Sequence, residues 1–213
     1  MKDFHGKPMI AWSIEAAQAS GVFDRVIVST DDEEIAEVAN SLGAETPFLR
    51  PVDLSDDFAT TGQVMAHAVS TLAQLGIQAE IVCCLYATAP FTRAEDLKSA
   101  IEKLESSDAD FVFSATSFEF PIQRALKLDA KGRVEMFQPE HLLTRSQDLE
   151  EAYHDAGQFY CGRAGAFLEQ RPFFSPASLA LILPRHRVQD IDTPEDWLRA
   201  EALFKVIETV SGE

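Results

Sequence analysis

The apolar segment at residues 80–86 constrains the fold more than any other stretch of this sequence. It consists of Ile-Val-Cys-Cys-Leu with a Glu before it and a Tyr after it. Such a run is typical of a strand that is buried on both faces of a parallel sheet. Similar strand-like segments occur at residues 110–115, 156–161 and 179–183. Helical segments alternate with strands along the first half of the chain. This alternation predicts an α/β fold with an open, mostly parallel, Rossmann-like sheet.

Capping residues and glycines predict where the other elements begin and end. We expect helices over residues 8–20, 31–42, 61–75, 92–104 and from Pro194 onward, and short strands at residues 25–29 and 45–49. Asp31 with Glu34, and Thr92 with Glu95, match the capping box that begins a helix. The final helix is predicted to bury one apolar stripe, made of Trp197, Ala200, Phe204 and Ile207.

The alternation of strands and helices breaks at residues 117–155. This stretch is polar, contains short alternating pieces, and turns at Lys131 and Gly132. These features predict a small antiparallel excursion from the main sheet. Because no repeat or flexible linker divides the chain, we expect a single domain over residues 1–213 with the excursion inserted in it.

The composition excludes some classes of partner. The chain has 35 acidic and 18 basic side chains, a net charge of −17, which argues against nucleic acid or an anionic membrane as the main partner. No apolar run approaches membrane-spanning length, and no signal peptide is visible. The odd number of cysteines, three, favours reduced thiols and a cytoplasmic location.

The segment at residues 188–197 is the strongest candidate for chemistry. It has the pattern of a strand end that runs directly into a helix, with Thr193 as the N-cap and Pro194 as the first helical residue. Asp190 and Asp192 are two residues apart, so on an extended segment both carboxylates project to one face. A Mg²⁺ ion is a natural occupant of that face, with substrate phosphates completing its shell. The alternative is two solvated acids at a helix N-terminus, where the helix dipole favours them.

In open α/β sheets, ligands bind outside the carboxyl ends of the strands. That rule selects residues 29–32, 86–91, 114–117 and 190–193. The sequence has no P-loop, no G-x-G-x-x-G fingerprint and no zinc motif, and its five histidines are scattered. Reasoning from the residues alone therefore ends at an α/β protein with a plausible Mg²⁺ site.

Five segments in sequence order carry a resemblance to a known family. They are Tyr-Ala-Thr-Ala-Pro-Phe at 86–91, Phe-Pro-Ile-Gln-Arg-Ala at 120–125, Arg-Ser-Gln-Asp-Leu at 145–149, His-Asp-Ala-Gly-Gln-Phe-Tyr at 154–160, and residues 187–197. Together they resemble the CMP-sugar synthetases that activate nonulosonic acids, and most of all the branch that acts on pseudaminic acid. The resemblance implies a nucleotide-diphospho-sugar transferase type of fold and transfer of CMP from CTP to the anomeric hydroxyl of the sugar acid, with release of pyrophosphate.

The resemblance also implies roles for individual residues. Asp190 and Asp192 would hold the catalytic Mg²⁺. Arg50 and Thr61 match positions that contact the nucleotide, although Arg50 alone could equally be a solvated loop arginine. Arg124 and Arg145 are candidates for binding the sugar carboxylate or a phosphate, Arg145 in a catalytic role. The other expected substrate contacts are Tyr86, Thr88, Asp155, Gln158 and Tyr160. By the same resemblance, the excursion forms a homodimer.

Several departures from the family pattern leave alternatives open. Tyr86 and Asp155 replace residues common in the sialic-acid branch, which favours pseudaminate over N-acetylneuraminate, legionaminate or 3-deoxy-manno-octulosonate. Family members also begin with a strand and a basic loop that binds the triphosphate, ahead of the segment that starts here at Lys2. We therefore expect a true start upstream of Met1. The other interpretation is an impaired or non-catalytic homologue that binds nucleotide or sugar weakly.

Overall fold

The computed structural model describes residues 2–56 and 58–211. The helices are α1 (Met9–Ser20), α2 (Glu33–Ser41), α3 (Thr61–Gln74), α4 (Ala94–Glu105), α5 (Ala164–Leu168) and α6 (Pro194–Ser211). The strands are β1 (Asp3–Phe4), β2 (Lys7–Pro8), β3 (Ile81–Leu85), β4 (Phe111–Ser117), β5 (Leu126–Leu128), β6 (Val134–Met136), β7 (Tyr153–Arg163) and β8 (Ser178–Ile182).

The main sheet has four strands in the order β3-β7-β4-β8. β7 runs antiparallel to both β3 and β4, and β4 runs parallel to β8. Three strands therefore point the same way and β7 opposes them. The predicted open α/β sheet with an excursion is confirmed. The expectation of mostly parallel pairing is corrected, since two of the three strand pairs are antiparallel. The chain leaves β4, makes the excursion and returns beside β4 as β7, and a strand that returns in this way runs antiparallel.

β3 lies at one edge of this sheet. Ile81, Cys83 and Leu85 pack against one apolar cluster, and Val82 and Cys84 pack against another on the opposite face. Apolar residues therefore do cover both faces, as the sequence predicts. The strand is nevertheless only partly buried, since its sole ladder partner among the described residues is β7. It is not an interior strand of a parallel sheet.

The strands predicted at residues 25–29 and 45–49 are reduced to one parallel bridge, between Ile27 and Glu45. Two backbone hydrogen bonds hold it, from Val28 N to Glu45 O at 2.9 Å and from Glu45 N to Val26 O at 2.8 Å. β propensity alone does not make a strand, because a strand needs a partner along its length.

Two helix starts also differ from the prediction by one residue. Asp32, rather than Asp31, caps α2, because its Oδ1 accepts hydrogen bonds from the amides of Glu34 and Ile35. Arg93, rather than Thr92, precedes α4. The Thr92 hydroxyl is buried and donates instead to Gln158.

Helices cover both faces of the sheet. α1 and α4 lie over one face around Leu97, Val112 and Phe159, and α3 and α5 lie over the other around Phe111 and Phe167. A third cluster joins the β1–β2 hairpin to α6, and the predicted stripe of Trp197, Ala200, Phe204 and Ile207 packs there around Phe4. Within residues 2–56 and 58–211, no helix has the length and apolar character needed to cross a membrane.

The predicted antiparallel excursion is present. The chain leaves the sheet after Ser117 and returns at Tyr153, and these two residues pair with each other at its base. Between them, β5 and β6 form a hairpin whose ladder runs from Leu126–Met136 to Leu128–Val134. Its fold is local, so many of its apolar side chains are exposed.

A bulge in β7 interrupts its ladder with β4. Phe113 pairs with Tyr160, but Ala115 pairs with Asp155, so residues 156–159 lie opposite Ser114 alone. Ser114 is fully buried, and its hydroxyl oxygen accepts hydrogen bonds from the amides of Gln158 (3.3 Å) and Phe159 (3.1 Å). A bulge bends the strand and redirects its side chains. Here the hydroxyl of Ser114 replaces the backbone carbonyl that a regular ladder would supply.

We predict that Ser114→Ala destabilises the protein by about 1–3 kcal/mol, because two buried amides lose their acceptor. Urea unfolding followed by circular dichroism measures the change. Ser117→Ala is the matched control, since Ser117 lies on the same strand and its hydroxyl makes no described hydrogen bond. Equal effects of the two substitutions would contradict this account of the bulge.

Candidate active site

A chain of polar side chains crosses the carboxyl end of β3 and the bulged part of β7. The Thr61 hydroxyl, at the start of α3, lies 2.9 Å from the Tyr86 hydroxyl. The rings of Tyr86 and Tyr160 are 5.8 Å apart, and the Tyr160 hydroxyl donates a hydrogen bond to the Asp155 carboxylate. Four of the predicted site residues are therefore in one place.

Both tyrosine hydroxyls remain protonated at neutral pH. Burial, followed by the hydrogen bond to Asp155, raises the pKa of Tyr160 far above its ordinary value. Burial also raises the pKa of Tyr86. Because the Tyr160 proton is directed at Asp155, the Asp155 carboxylate is held in a fixed orientation in the site.

Asp190 lies directly beside the bulge. Gly157 has a φ of +62°, and a Cβ atom added to it would lie 3.2 Å from Asp190 Oδ1. Only glycine combines that backbone conformation with so close an approach. The bulge therefore brings the segment containing Asp155 against the segment containing Asp190.

The segment with Asp190 and Asp192 is an extended loop, not the predicted strand end, and it follows a 3-10 turn at Arg185–Arg187. The predicted helix start at Pro194 is confirmed. At this helix start, Thr193 and Asp196 are joined by two hydrogen bonds in opposite directions. The Thr193 hydroxyl donates to Asp196 Oδ2 at 2.7 Å, and the Asp196 amide donates to the Thr193 hydroxyl at 3.2 Å.

The electrostatics of this segment suit a cation. Both Asp190 and Asp192 are exposed. Burial of its inner part raises the pKa of Asp190 above its ordinary value, and the charges of Asp192, Asp155 and Asp196 raise it further. Excess negative charge on hard oxygen donors is the chemistry that Mg²⁺ binds. The described residues form no group of three or more metal-ligating side chains, and this segment offers two carboxylates, those of Asp190 and Asp192. This donor set fits Mg²⁺, which takes its other ligands from phosphate and water.

The remaining predicted residues lie apart from this cluster. The Arg50 Nε atom donates to the Ser55 hydroxyl at 3.1 Å, and its guanidinium lies 3.6 Å from Asp31. Thr88 is exposed in the turn after β3. Neither residue has a described contact with Tyr86, Asp155 or the aspartate pair.

Arg124 and Arg145 lie together on the excursion. Arg124 donates to the Thr144 carbonyl at 2.7 Å, and Arg145 pairs with Asp148 at 2.7 Å. Both arginines are exposed. Within the described part of the chain, no contact joins either arginine to Asp155, Asp190 or Asp192.

Gln158 differs from the prediction most clearly. Its side chain is 1% exposed, its Oε1 accepts from Thr92, and its Nε2 donates to the Arg187 carbonyl at 2.6 Å. The amide is therefore engaged inside the protein rather than presented to a substrate. In a regular strand, the side chains of Gln158 and Tyr160 would lie on the same face, and the bulge breaks that alternation.

Sequence reasoning missed two features of this site. One is Gly157, although a glycine next to a candidate site residue is a usable signal for a close backbone approach. The other is the buried pair of Arg187 and Asp96, which are 91 positions apart and which no local pattern connects.

The fold is that of known nucleotidyltransferases. A CMP:2-keto-3-deoxy-manno-octonic acid synthetase solved with CTP matches with a TM-score of 0.65 and 14% sequence identity, covering 96% of this chain and 90% of that one. A 4-diphosphocytidyl-2C-methyl-D-erythritol synthase matches with a TM-score of 0.64 and 15% identity. At this level of identity, the likeness concerns the fold.

Sequence comparison defines the family. The model of the cytidylyltransferase family matches residues 1–202, and the chain belongs to that family. It is 49% identical over 96% of its length to a pseudaminic acid cytidylyltransferase of Campylobacter jejuni, covering 88% of that protein. It is 29% identical over 94% of its length to a CMP-N,N'-diacetyllegionaminic acid synthase of Legionella pneumophila, covering 87% of that protein. The chain is thus a nucleotidyltransferase enzyme, as the resemblance implies.

We predict that Gly157→Ala lowers kcat by roughly 100-fold, because the new Cβ displaces Asp190 and small misplacements of reacting groups have effects of that size. Steady-state pyrophosphate release measures it. Gly76→Ala is the matched control, since Gly76 also has a positive φ (+82°) but no atom within 4 Å of the added Cβ. If both variants lose activity equally, backbone strain and not contact with Asp190 is the cause.

We predict that Asp190→Asn abolishes turnover and yet stabilises the metal-free protein. Because its pKa is raised in the folded state, ionised Asp190 opposes folding. The protonated carboxyl stabilises the fold below its unfolded-state pKa, and this contribution is lost as the pH rises through the folded-state pKa. After allowance for solvent screening, the thermal midpoint at pH 7 should rise by roughly 1–2 °C.

Asp196→Asn is the contrasting variant, because hydrogen bonds from Thr193 lower the pKa of Asp196. Its replacement should reduce the thermal midpoint. A lower midpoint for Asp190→Asn would contradict the electrostatic description of the aspartate pair.

Proposed function

We propose that this chain transfers CMP from CTP to the anomeric hydroxyl of pseudaminic acid. The hydroxyl oxygen forms a bond to the α-phosphorus, the bond from that phosphorus to the pyrophosphate oxygen breaks, and the hydroxyl proton passes to the medium. The observation that carries the proposal is the 49% identity, over nearly the whole chain, to the Campylobacter jejuni pseudaminic acid cytidylyltransferase.

A second relative supports the choice of sugar. The chain is 42% identical over 89% of its length to part of a Helicobacter pylori protein named as a pseudaminic acid cytidylyltransferase and a hydrolase. Identity to an Escherichia coli N-acylneuraminate cytidylyltransferase is lower, at 30% over 90% of this chain. Tyr86 and Asp155 lie in the polar cluster described above, where they could distinguish one sugar acid from another.

The described site residues have distinct tasks in this reaction. Tyr86 and the Asp155–Tyr160 pair present a donor and an acceptor to the hydroxyls of the sugar. Thr61, at the N-terminus of α3, lies where backbone amides and the helix dipole favour a phosphate. Asp190 and Asp192 would hold Mg²⁺, which when bound supplies positive charge against the α-phosphate and the leaving pyrophosphate.

Positive charge from the protein is the other requirement, because the chain carries a net charge of −17. Among the described residues, the Arg50 side chain contacts the Ser55 hydroxyl and lies 3.6 Å from Asp31, and we propose that its guanidinium turns to the nucleotide when CTP binds. Arg124 and Arg145 are exposed on the excursion and are suited to the sugar carboxylate or to a phosphate.

The proposal is tested by incubating the protein with CTP, Mg²⁺ and one sugar acid at a time, with detection of pyrophosphate and of the CMP-sugar by mass spectrometry. We expect kcat/KM for pseudaminic acid to exceed that for N-acetylneuraminic, legionaminic and 3-deoxy-manno-octulosonic acid by at least 100-fold. Chelation of the metal with EDTA should stop turnover, and added Mg²⁺ should restore it. Preference for another acid would overturn the assignment of substrate, and turnover in EDTA would overturn the role of the metal.

We also propose that the excursion joins two copies of this chain. Between Phe118 and Tyr153 the excursion exposes many large apolar side chains, namely Phe118, Phe120, Ile122, Leu126, Leu128, Val134, Phe137, Leu142, Leu143 and Tyr153. Exposed apolar side chains concentrated on one segment form the kind of surface that is typical of protein interfaces. A second copy would cover it and would add its own Arg124 and Arg145 to the shared surface.

Sedimentation velocity tests the dimer. We predict a dimer of about twice the 23.5 kDa chain mass, and a monomer for the double variant Leu128→Glu/Leu143→Glu. Leu75→Glu is the control, because Leu75 is also exposed but lies at the end of α3, on the main domain. A wild-type monomer at micromolar concentration would contradict the proposal.

We infer a cytoplasmic location, since Cys83, Cys84 and Cys161 are all free thiols and CTP is a cytoplasmic substrate. Cell fractionation with an antibody to the chain tests this. Recovery of the protein in a secreted or membrane fraction would contradict it.

A further inference from the structure

We propose that Asp96, Arg187 and Gln158 form a buried clamp that positions the segment with Asp190 and Asp192. These three are positioning residues, because they act on the aspartate pair through the backbone and need not touch a substrate. The kinetic consequence of the clamp rests on the proposed function, whereas its structural consequence does not.

The first half of the clamp is an ion pair. Arg187 Nη1 lies 2.6 Å from Asp96 Oδ2, and Arg187 Nη2 lies 3.0 Å from Asp96 Oδ1. The two side chains are only 9% and 13% exposed. The Asp96 Oδ2 atom also accepts from the Arg93 amide at 3.2 Å, so the pair is fixed to the first turn of α4. This geometry is bidentate, which arginine forms and lysine does not.

The second half of the clamp holds the backbone of the same arginine. Gln158 Nε2 donates to the Arg187 carbonyl at 2.6 Å, and Gln158 Oε1 accepts from the Thr92 hydroxyl at 3.1 Å. Gln158 belongs to the bulge of β7 and Thr92 precedes α4. The side chain and the carbonyl of Arg187 are therefore both fixed, one by the helix and the other by the sheet.

Asp190 follows Arg187 by three residues, and the next part of the chain is fixed as well. Ile191 packs with the aromatic cluster around Phe4, and the Thr193–Asp196 bonds fix the start of α6. The backbone at Gly157, the neighbour of Gln158, approaches Asp190 so closely that an added Cβ atom would lie 3.2 Å from Asp190 Oδ1. The aspartate pair therefore lies on a short segment that is anchored before, within and after it, and the clamp is the upstream anchor.

Stability alone explains the clamp poorly. A buried ion pair is often no more stabilising than the apolar side chains that could replace it, because both charges lose hydration. The structure places this one three residues ahead of the carboxylates proposed to bind the metal. Partners that orient metal-binding side chains typically contribute 10–100-fold to metal affinity or activity.

The test measures hydrogen–deuterium exchange of the metal-free and substrate-free protein, followed by kinetics. We expect Arg187→Met and Gln158→Met to accelerate exchange at residues 188–193 at least tenfold, with the amides of β4 unchanged. The same variants should lower kcat by 10–100-fold and raise the Mg²⁺ concentration for half-maximal rate, and Arg187→Lys should lie in between. Arg171→Met is the control. Arg171 pairs with Asp110 at 2.7 Å, and Asp110 lies just before β4 begins at Phe111.

Unchanged exchange at residues 188–193 in a folded variant would overturn the clamp. A global rise in exchange with wild-type kcat and wild-type Mg²⁺ dependence would also overturn it, since that is the result of a merely structural role. If Arg187→Met does not fold, Gln158→Met carries the test. An inactive wild-type protein would refute the proposed function alone, because the exchange measurement needs no substrate.

Discussion

The hydrogen bonds between the buried Ser114 hydroxyl and the bulge of β7 are the interaction on which the rest of the site depends. They stabilise residues 156–159 opposite a single residue of β4. The bulge lets the Asp155 carboxylate reach the Tyr160 hydroxyl five residues later and lets Gly157 approach Asp190. It also turns Gln158 inward, where its amide holds the Arg187 carbonyl. One irregularity in a regular sheet thus connects the tyrosine cluster, the aspartate pair and the buried ion pair.

Charge is the second constraint. Burial raises the pKa of Asp190, and the charges of Asp192 and Asp155 raise it further, in a chain that is already strongly acidic. Negative charge arranged in this way favours a bound cation, in agreement with the proposed role of Mg²⁺. The arginines that could assist lie elsewhere, Arg50 in a loop and Arg124 and Arg145 on the excursion. In the proposed reaction, substrate, metal and the excursion would therefore complete the site together.

Local patterns in the sequence predicted most of the architecture. The helices, the four strands of the main sheet, the excursion and the stripe on α6 follow from periodicity and capping. The resemblance to the family selected residues that the fold does bring together, among them Thr61, Tyr86, Asp155, Tyr160 and Asp190.

The errors share a physical cause, which is dependence on partners distant in sequence. The direction of β7 depends on where the excursion returns, and the strand at residues 25–29 lacks a partner along its length. Gln158 is buried because Ser114 stabilises a bulge, and Arg187 is buried because Asp96 lies opposite it. A single sequence shows the residue types at these positions but not the contacts that decide their roles.

The most direct test of the account is a crystal structure of the protein with CTP and Mn²⁺, in which anomalous scattering locates the metal. We expect a peak between the Asp190 and Asp192 carboxylates, with the triphosphate completing the coordination and Tyr160 still bonded to Asp155. A metal bound to the triphosphate away from both aspartates would contradict the proposal that the bulge of β7 positions Asp190 and Asp192 to bind the metal.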